Sequence, residues 1–179
     1  MTAMQALALA IQSGKRHTSL DASILQDPKC VVMYARRLGI SSWPQGETVV
    51  LQDAECAKNW ARDIRKQRWL DAEPVILASN NVARVIEYAS KVINGRWHDA
   101  EQLIANHPDE SLHERYANAI APTEMDEEWA AYCPCWLWTY SQRVSGGRLP
   151  EHLHNMMVGL GITDATRKNR FVKMYFDEI

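Results

Sequence analysis

Tyr88-Ala89-Ser90-Lys91-Val92-Ile93-Asn94-Gly95-Arg96-Trp97 can be laid over Tyr140-Ser141-Gln142-Arg143-Val144-Ser145-Gly146-Gly147-Arg148-Leu149 with tyrosine, valine, glycine and arginine in register. The same frame recurs at Tyr34, at Trp60, more faintly at Tyr116, and at Leu7. Successive anchors are spaced by 27, 26, 28, 28 and 24 residues. Self-similarity at such a period marks an array of stacked supersecondary units.

Read as columns, the frame describes a helix. The anchor is Leu7, Tyr34, Trp60, Tyr88, Tyr116 and Tyr140, and the next residue is Ala or Ser every time. Four past the anchor stand Ile11, Leu38, Ile64, Val92, Ile120 and Val144, an i, i+4 relation that puts anchor and aliphatic on one helix face. The intervening positions are mainly polar, so the helix is amphipathic, and the small column permits close approach of a neighbour. A turn slot follows with Gly14, Ser41, Gln67, Gly95, Thr123 and Gly147, where glycine suits the left-handed residue that closes many helices. A second apolar anchor comes next, Trp43, Trp69, Trp97, Met125 or Leu149, and opens a shorter amphipathic segment. Asp71 and Asp99 are expected to cap that segment, and Pro44 and Pro150 fit its start.

Each unit is therefore expected to be a helix–turn–short helix hairpin of about 27 residues that buries its core only by stacking. The expected fold is all-α: an α-solenoid of five to six such hairpins in one elongated domain. Residues 1–26 form a degenerate first repeat, 27–107 the regular repeats, 108–160 irregular repeats, and 161–179 a closing helix. Phe171, Val172, Tyr175, Phe176 and Ile179 stand at helical spacing in that last segment, after a Thr163-Asp164 cap signal.

The units from Trp60 to Glu73 and from Tyr88 to Glu101 resemble the Tyr-Ala-x-x-Val-Ile-x-Gly-Arg-Trp-x-x-Ala-Glu repeats of bacteriophage and large-virus proteins. The likeness is good over residues 53–107, fair over 27–52 and 136–157, and weak elsewhere. It implies a phage or viral origin and a helical array, and it carries no catalytic residue. The fifth unit departs most, with Thr123-Glu124-Met125 in place of Gly-Arg-Trp and Trp129 in the acidic column.

A net charge of −2 argues against a surface coated for nucleic acid as a whole. There is no run of apolar residues long enough to span a bilayer, and Ala6-Leu7-Ala8-Leu9-Ala10-Ile11 lacks the preceding positive charge of a signal peptide. The reading is a cytoplasmic protein with no membrane association. Cys30 and Cys56 occupy equivalent slots and read as small buried thiols.

Cys133-Pro134-Cys135 and His152-Leu153-His154 hold the zinc-ligand types, but at the wrong spacing. Two residues apart on a helix, the histidines would point about 200° apart, so no metal site is expected. No phosphate loop, nucleophile elbow or His-Glu-x-x-His helix occurs, so neither an enzyme nor a cofactor is expected. The basic column Arg68, Arg96 and Arg148 could hold phosphates. It also lies where a helix C-terminus favours cations, opposite acidic residues that could pair with it. Trp129 and Trp138 stand in columns that are polar or mixed in other units, which suggests exposed contact anchors. The leading expectation is a non-enzymatic protein-binding module, a phage or viral accessory protein that engages or inhibits a host or viral complex. Its contact residues are Trp129, Trp138, Arg148, Arg96 and Arg68. The alternative is nucleic-acid binding through the arginine column, or through a turn at Gly161-Ile162-Thr163 and a helix bearing Arg167, Lys168, Asn169, Arg170 and Lys173.

Overall fold

Asp27, Asp53, Asn81 and Asp109 recur at the repeat period, and each starts a helix in the same way. In the computed structural model, which describes residues 1–163 and 169–178, their side-chain oxygens accept backbone N–H groups of the first helical turn. The donors are Lys29 at 2.8 Å, Cys56 at 2.8 Å, Arg84 at 3.0 Å and Ser111 at 3.0 Å. Each bond satisfies a donor that the helix itself leaves open. The helices so capped are α3 (Pro28–Leu38), α5 (Ala54–Trp60), α7 (Val82–Tyr88) and α9 (Glu110–Ala119). Between and around them lie α1 (Ala3–Ser13), α2 (Thr18–Ile24), α4 (Pro44–Val50), α6 (Glu73–Ala78) and α8 (His98–Ala105). The chain continues with α10 (Glu127–Ala130), α11 (Pro134–Arg143), α12 (Glu151–Thr163) and α13 (Arg170–Glu178). The described residues are all-helical, with no strand.

The chain divides into two compact units, Met1–Ile93 and Asn94–Ile179, a boundary that falls inside the Tyr88–Trp97 frame. In the first unit α1 packs on α3, α3 on α5 and α5 on α7, while the shorter helices α2, α4 and α6 pack beside them. In the second, α9 packs on α11 and α11 on α13. The anchors Tyr34, Trp60, Tyr88, Tyr116 and Tyr140 and the turn residues Trp43, Trp69, Trp97, Met125 and Leu149 are all buried. Burial of such side chains stabilises by roughly 1.5–3 kcal/mol each.

Helices α5 and α7 end alike, widening into π-helical turns over Ala61–Arg65 and Ala89–Ile93. Left-handed residues then close them, but these are Lys66 (φ 54°) and Asn94 (φ 58°), one position before the expected Gln67 and Gly95. In α3, which lacks such a turn, the reversal falls earlier still, at Gly39 (φ 66°). Gly95 is needed for space instead: a Cβ there would lie 2.8 Å from Oε1 of Glu124. The expected caps Asp71 and Asp99 lie within the first turn of their segments, and Trp69 and Trp97 occupy the capping positions with no side-chain cap bond. Asp71 accepts from the Trp69 indole at 3.2 Å, so it holds the tryptophan rather than the helix end.

The expected turn at Gly161-Ile162-Thr163 is absent, because α12 runs through Thr163. Asn169 caps α13 by accepting from the backbone N–H groups of Phe171 and Val172. Asp164, Arg167, Lys168 and Ile179, part of the expected closing segment and basic helix, lie outside the described residues.

Candidate interaction surface

The basic column is spoken for at two of its three positions. Arg68 grips Glu73 with Nε and Nη2 at 2.6 and 2.9 Å, and Arg96 grips Glu101 at 2.7 and 2.8 Å. These are bidentate arginine–carboxylate pairs, short and directional. From the next long helix a tyrosine completes each one. The Tyr88 hydroxyl accepts the Trp69 backbone N–H at 2.9 Å and lies 3.5 Å from Glu73 Oε1. The Tyr116 hydroxyl accepts the Trp97 N–H at 2.7 Å and donates to Glu101 Oε1 at 3.2 Å. A matching set stands at the start of the chain, where Arg16 pairs with Asp21 at 2.7 Å and the Tyr34 hydroxyl accepts the His17 N–H at 3.0 Å. Burial chiefly, opposed by the donated N–H, raises the Tyr88 hydroxyl to about 12.

Arg96 is the extreme case. Its side chain is 7% exposed against 1% for Glu101, and it also reaches the Asp126 carboxylate at 2.7 Å and the Glu124 carbonyl at 3.1 Å. Burial opposes its charge, but the partner carboxylates outweigh it and its pKa is pushed up. Arg96 therefore has no charge to offer a partner, contrary to the expected contact role. Arg68 is 46% exposed but shares its charge with Glu73. Arg148 differs: it is exposed, and among the described residues it forms no ion pair.

The polar columns also link successive helices. Arg36 pairs with Asp63, Arg62 bridges Asp63 at 2.8 Å and Glu87 at 2.5 Å, and buried Lys58 joins Glu55 at 2.8 Å to Glu87 at 2.5 Å. Burial raises the Glu55 carboxyl pKa, but hydrogen bonds and charge from Lys58 and Arg84 outweigh it and lower it from 4.5 to about 2. A depressed folded-state value contributes stability above the unfolded pKa and loses it as pH falls through the folded one. Acid unfolding of the first unit should accordingly steepen between about 4.5 and about 2. Helicity followed against pH should show Glu55→Gln with a shallower loss there. An unchanged profile would mean that Glu55 is not coupled to folding.

Trp129 is fully buried, which corrects its reading as an exposed contact anchor. It stacks on Trp136 with centroids 5.0 Å apart and planes 11° apart, and Tyr116 and Tyr132 close on Trp136 from 5.4 and 5.9 Å. Trp129 thus replaces an acidic residue because the irregular unit has an aromatic core, with Trp136 anchored by its indole N–H to the His113 carbonyl at 3.0 Å. Trp138 is only half-buried. It lines a recess of about 290 Å³ with Glu114, Asn118, Thr139, Phe171 and the exposed Met174.

The zinc-type residues do not converge. His152 faces Glu127 at 3.1 Å, while His154 hydrogen-bonds the Tyr175 hydroxyl at 2.9 Å. Cys133 and Cys135 are buried, and desolvation pushes the Cys133 thiol up to about 12. The described residues contain no group of three or more His, Cys, Asp or Glu placed to hold a metal ion. Among them, no helix is long and apolar enough to cross a membrane.

The pairing of the basic column with acidic residues was open to the sequence, but its completion by a tyrosine and a backbone N–H was not foreseen, though its signal stands there. Arg16, Arg68 and Arg96 are each followed five residues later by an acid, and 18 to 20 residues later by a tyrosine, Tyr34, Tyr88 or Tyr116. No family model, no curated protein and no solved structure matches the chain.

Proposed function

We propose that the hairpins form an α-solenoid and that the chain is a non-enzymatic protein-binding module of phage or viral origin. In this reading it engages or inhibits a host or viral protein complex in the cytoplasm through its second unit. The observation that carries the reading is Trp138, a large aromatic left half-buried on a recess while the other tryptophans are buried. Aromatic anchors of this kind dominate protein interfaces. The pairing of Arg68 and Arg96 with carboxylates supports it further, since phosphate binding would need those guanidinium groups free. The origin rests on the resemblance of the Tyr-Ala…Gly-Arg-Trp frame alone.

Affinity capture from host extract, with and without nuclease, tests the reading. A protein retained in both conditions is expected, and Trp138→Ala should weaken its binding by about 2 kcal/mol, roughly 30-fold, with helicity unchanged. Retention that disappears with nuclease, or a salt-sensitive affinity for oligonucleotides, would instead support the nucleic-acid alternative through Arg148 and the basic C-terminal segment.

A further inference from the structure

The last tie of the second unit lacks one of its four parts. Arg148 corresponds to Arg68 and Arg96, and the Leu149 N–H, 3.5 Å from the Tyr175 hydroxyl, corresponds to the Trp69 and Trp97 N–H groups. Five residues past the arginine, where Asp21, Glu73 and Glu101 stand in the other ties, the chain has Leu153, buried and unable to pair. A recess of about 300 Å³ opens there, lined by Arg148, Leu149, His154 and Tyr175. The arginine, the tyrosine and the backbone N–H are therefore present, and among the described residues the carboxylate is not.

We propose that this recess is a socket for a carboxylate from outside the chain, presented by an aspartate or glutamate side chain of the protein partner. The proposal rests on the protein-binding reading and gives that partner a chemistry, an acidic segment. The template is internal: Arg96 holds Glu101 through Nε and Nη2 while the Tyr116 hydroxyl donates to Oε1. Arg148 and Tyr175 can present the same fork and hydroxyl, and His154 adds a ring nitrogen 2.9 Å from that hydroxyl. The guanidinium fork matches a carboxylate geometrically, which a lysine would not.

The probe is a short peptide with one glutamate among neutral residues, set against its glutamine counterpart, with the Arg148 guanidinium resonance followed by NMR. Saturable binding of the glutamate peptide is expected, with the glutamine peptide weaker by roughly tenfold or more, the scale of a charge-assisted hydrogen bond. Arg148→Gln should abolish binding and Tyr175→Phe should reduce it. Leu153→Glu should fill the socket from within and block the peptide in a protein of unchanged helicity. Should that variant unfold, Arg148→Gln and Tyr175→Phe still decide. Equal binding of the two peptides, or none, would overturn the socket, as would Arg148-dependent binding of a single-stranded oligonucleotide but not of the glutamate peptide. Capture that depends on Trp138 with no response at Arg148 would remove the socket and leave the binding module standing. A glutamate-selective socket in a chain that captures no protein would have the opposite meaning.

Discussion

Trp97→Ala is expected to lower stability by roughly 3–5 kcal/mol, the range for a large buried aromatic truncated in a core. Trp97 is 1% exposed and starts α8, and its backbone N–H is held by Tyr116 from the following helix. Truncation removes the packing surface while the N–H–tyrosine bond keeps the backbone in place, so the cavity has little freedom to collapse. Trp69→Ala should behave alike, since Trp69 is 3% exposed and tied to Tyr88 in the same way. Urea denaturation should show a lower midpoint with an unchanged slope. A wild-type midpoint for both variants would show that the tryptophans are not part of the core.

Arg96→Ala should cost about 3–5 kcal/mol, because it strands Glu101 in a site that water does not reach. At 1% exposure Glu101 would keep only the Tyr116 hydroxyl as a close donor apart from His98, whose ring nitrogen lies 3.8 Å away. Arg68→Ala is expected to cost distinctly less. That guanidinium is 46% exposed although Glu73 is only 7% exposed, so water that already reaches the arginine can take over part of its place beside the carboxylate. The ratio of the two losses is the informative measurement. Equal losses would mean that burial does not distinguish the two ties, and a small loss at Arg96 would return its charge to the candidate surface. Replacing Arg96 and Glu101 together by apolar residues should recover much of the loss, since a buried ion pair is costly to break but not to exchange.

The helices were legible because a self-similar sequence writes its own alignment. Tyr34, Trp60, Tyr88, Tyr116 and Tyr140 could be read as one buried column by comparing the chain with itself. The Asp27, Asp53, Asn81 and Asp109 caps show the same periodicity, and local hydrogen bonding within two or three residues accounts for them. Helix ends were less legible. The glycine column reads as the point of reversal, yet the reversal falls on Lys66 and Asn94 rather than on Gln67 and Gly95, and Gly95 serves instead to leave room for Glu124.

The sequence by itself thus determined the all-helical class and the buried anchors, since these depend on contacts between near neighbours along the chain and on periodic burial. Tertiary structure alone decided where the polar atoms go. Whether Arg96 was a free cation or a buried strut depended on Asp126, 30 residues on, and on how little water reaches the pair. Trp129 was polar-column by register yet buried in fact, because Trp136 of the following helix lies flat against it. Charge and aromatic exposure are properties of a neighbourhood assembled from several helices. The same residue in the same column can therefore be a strut at Arg96 and an open guanidinium at Arg148.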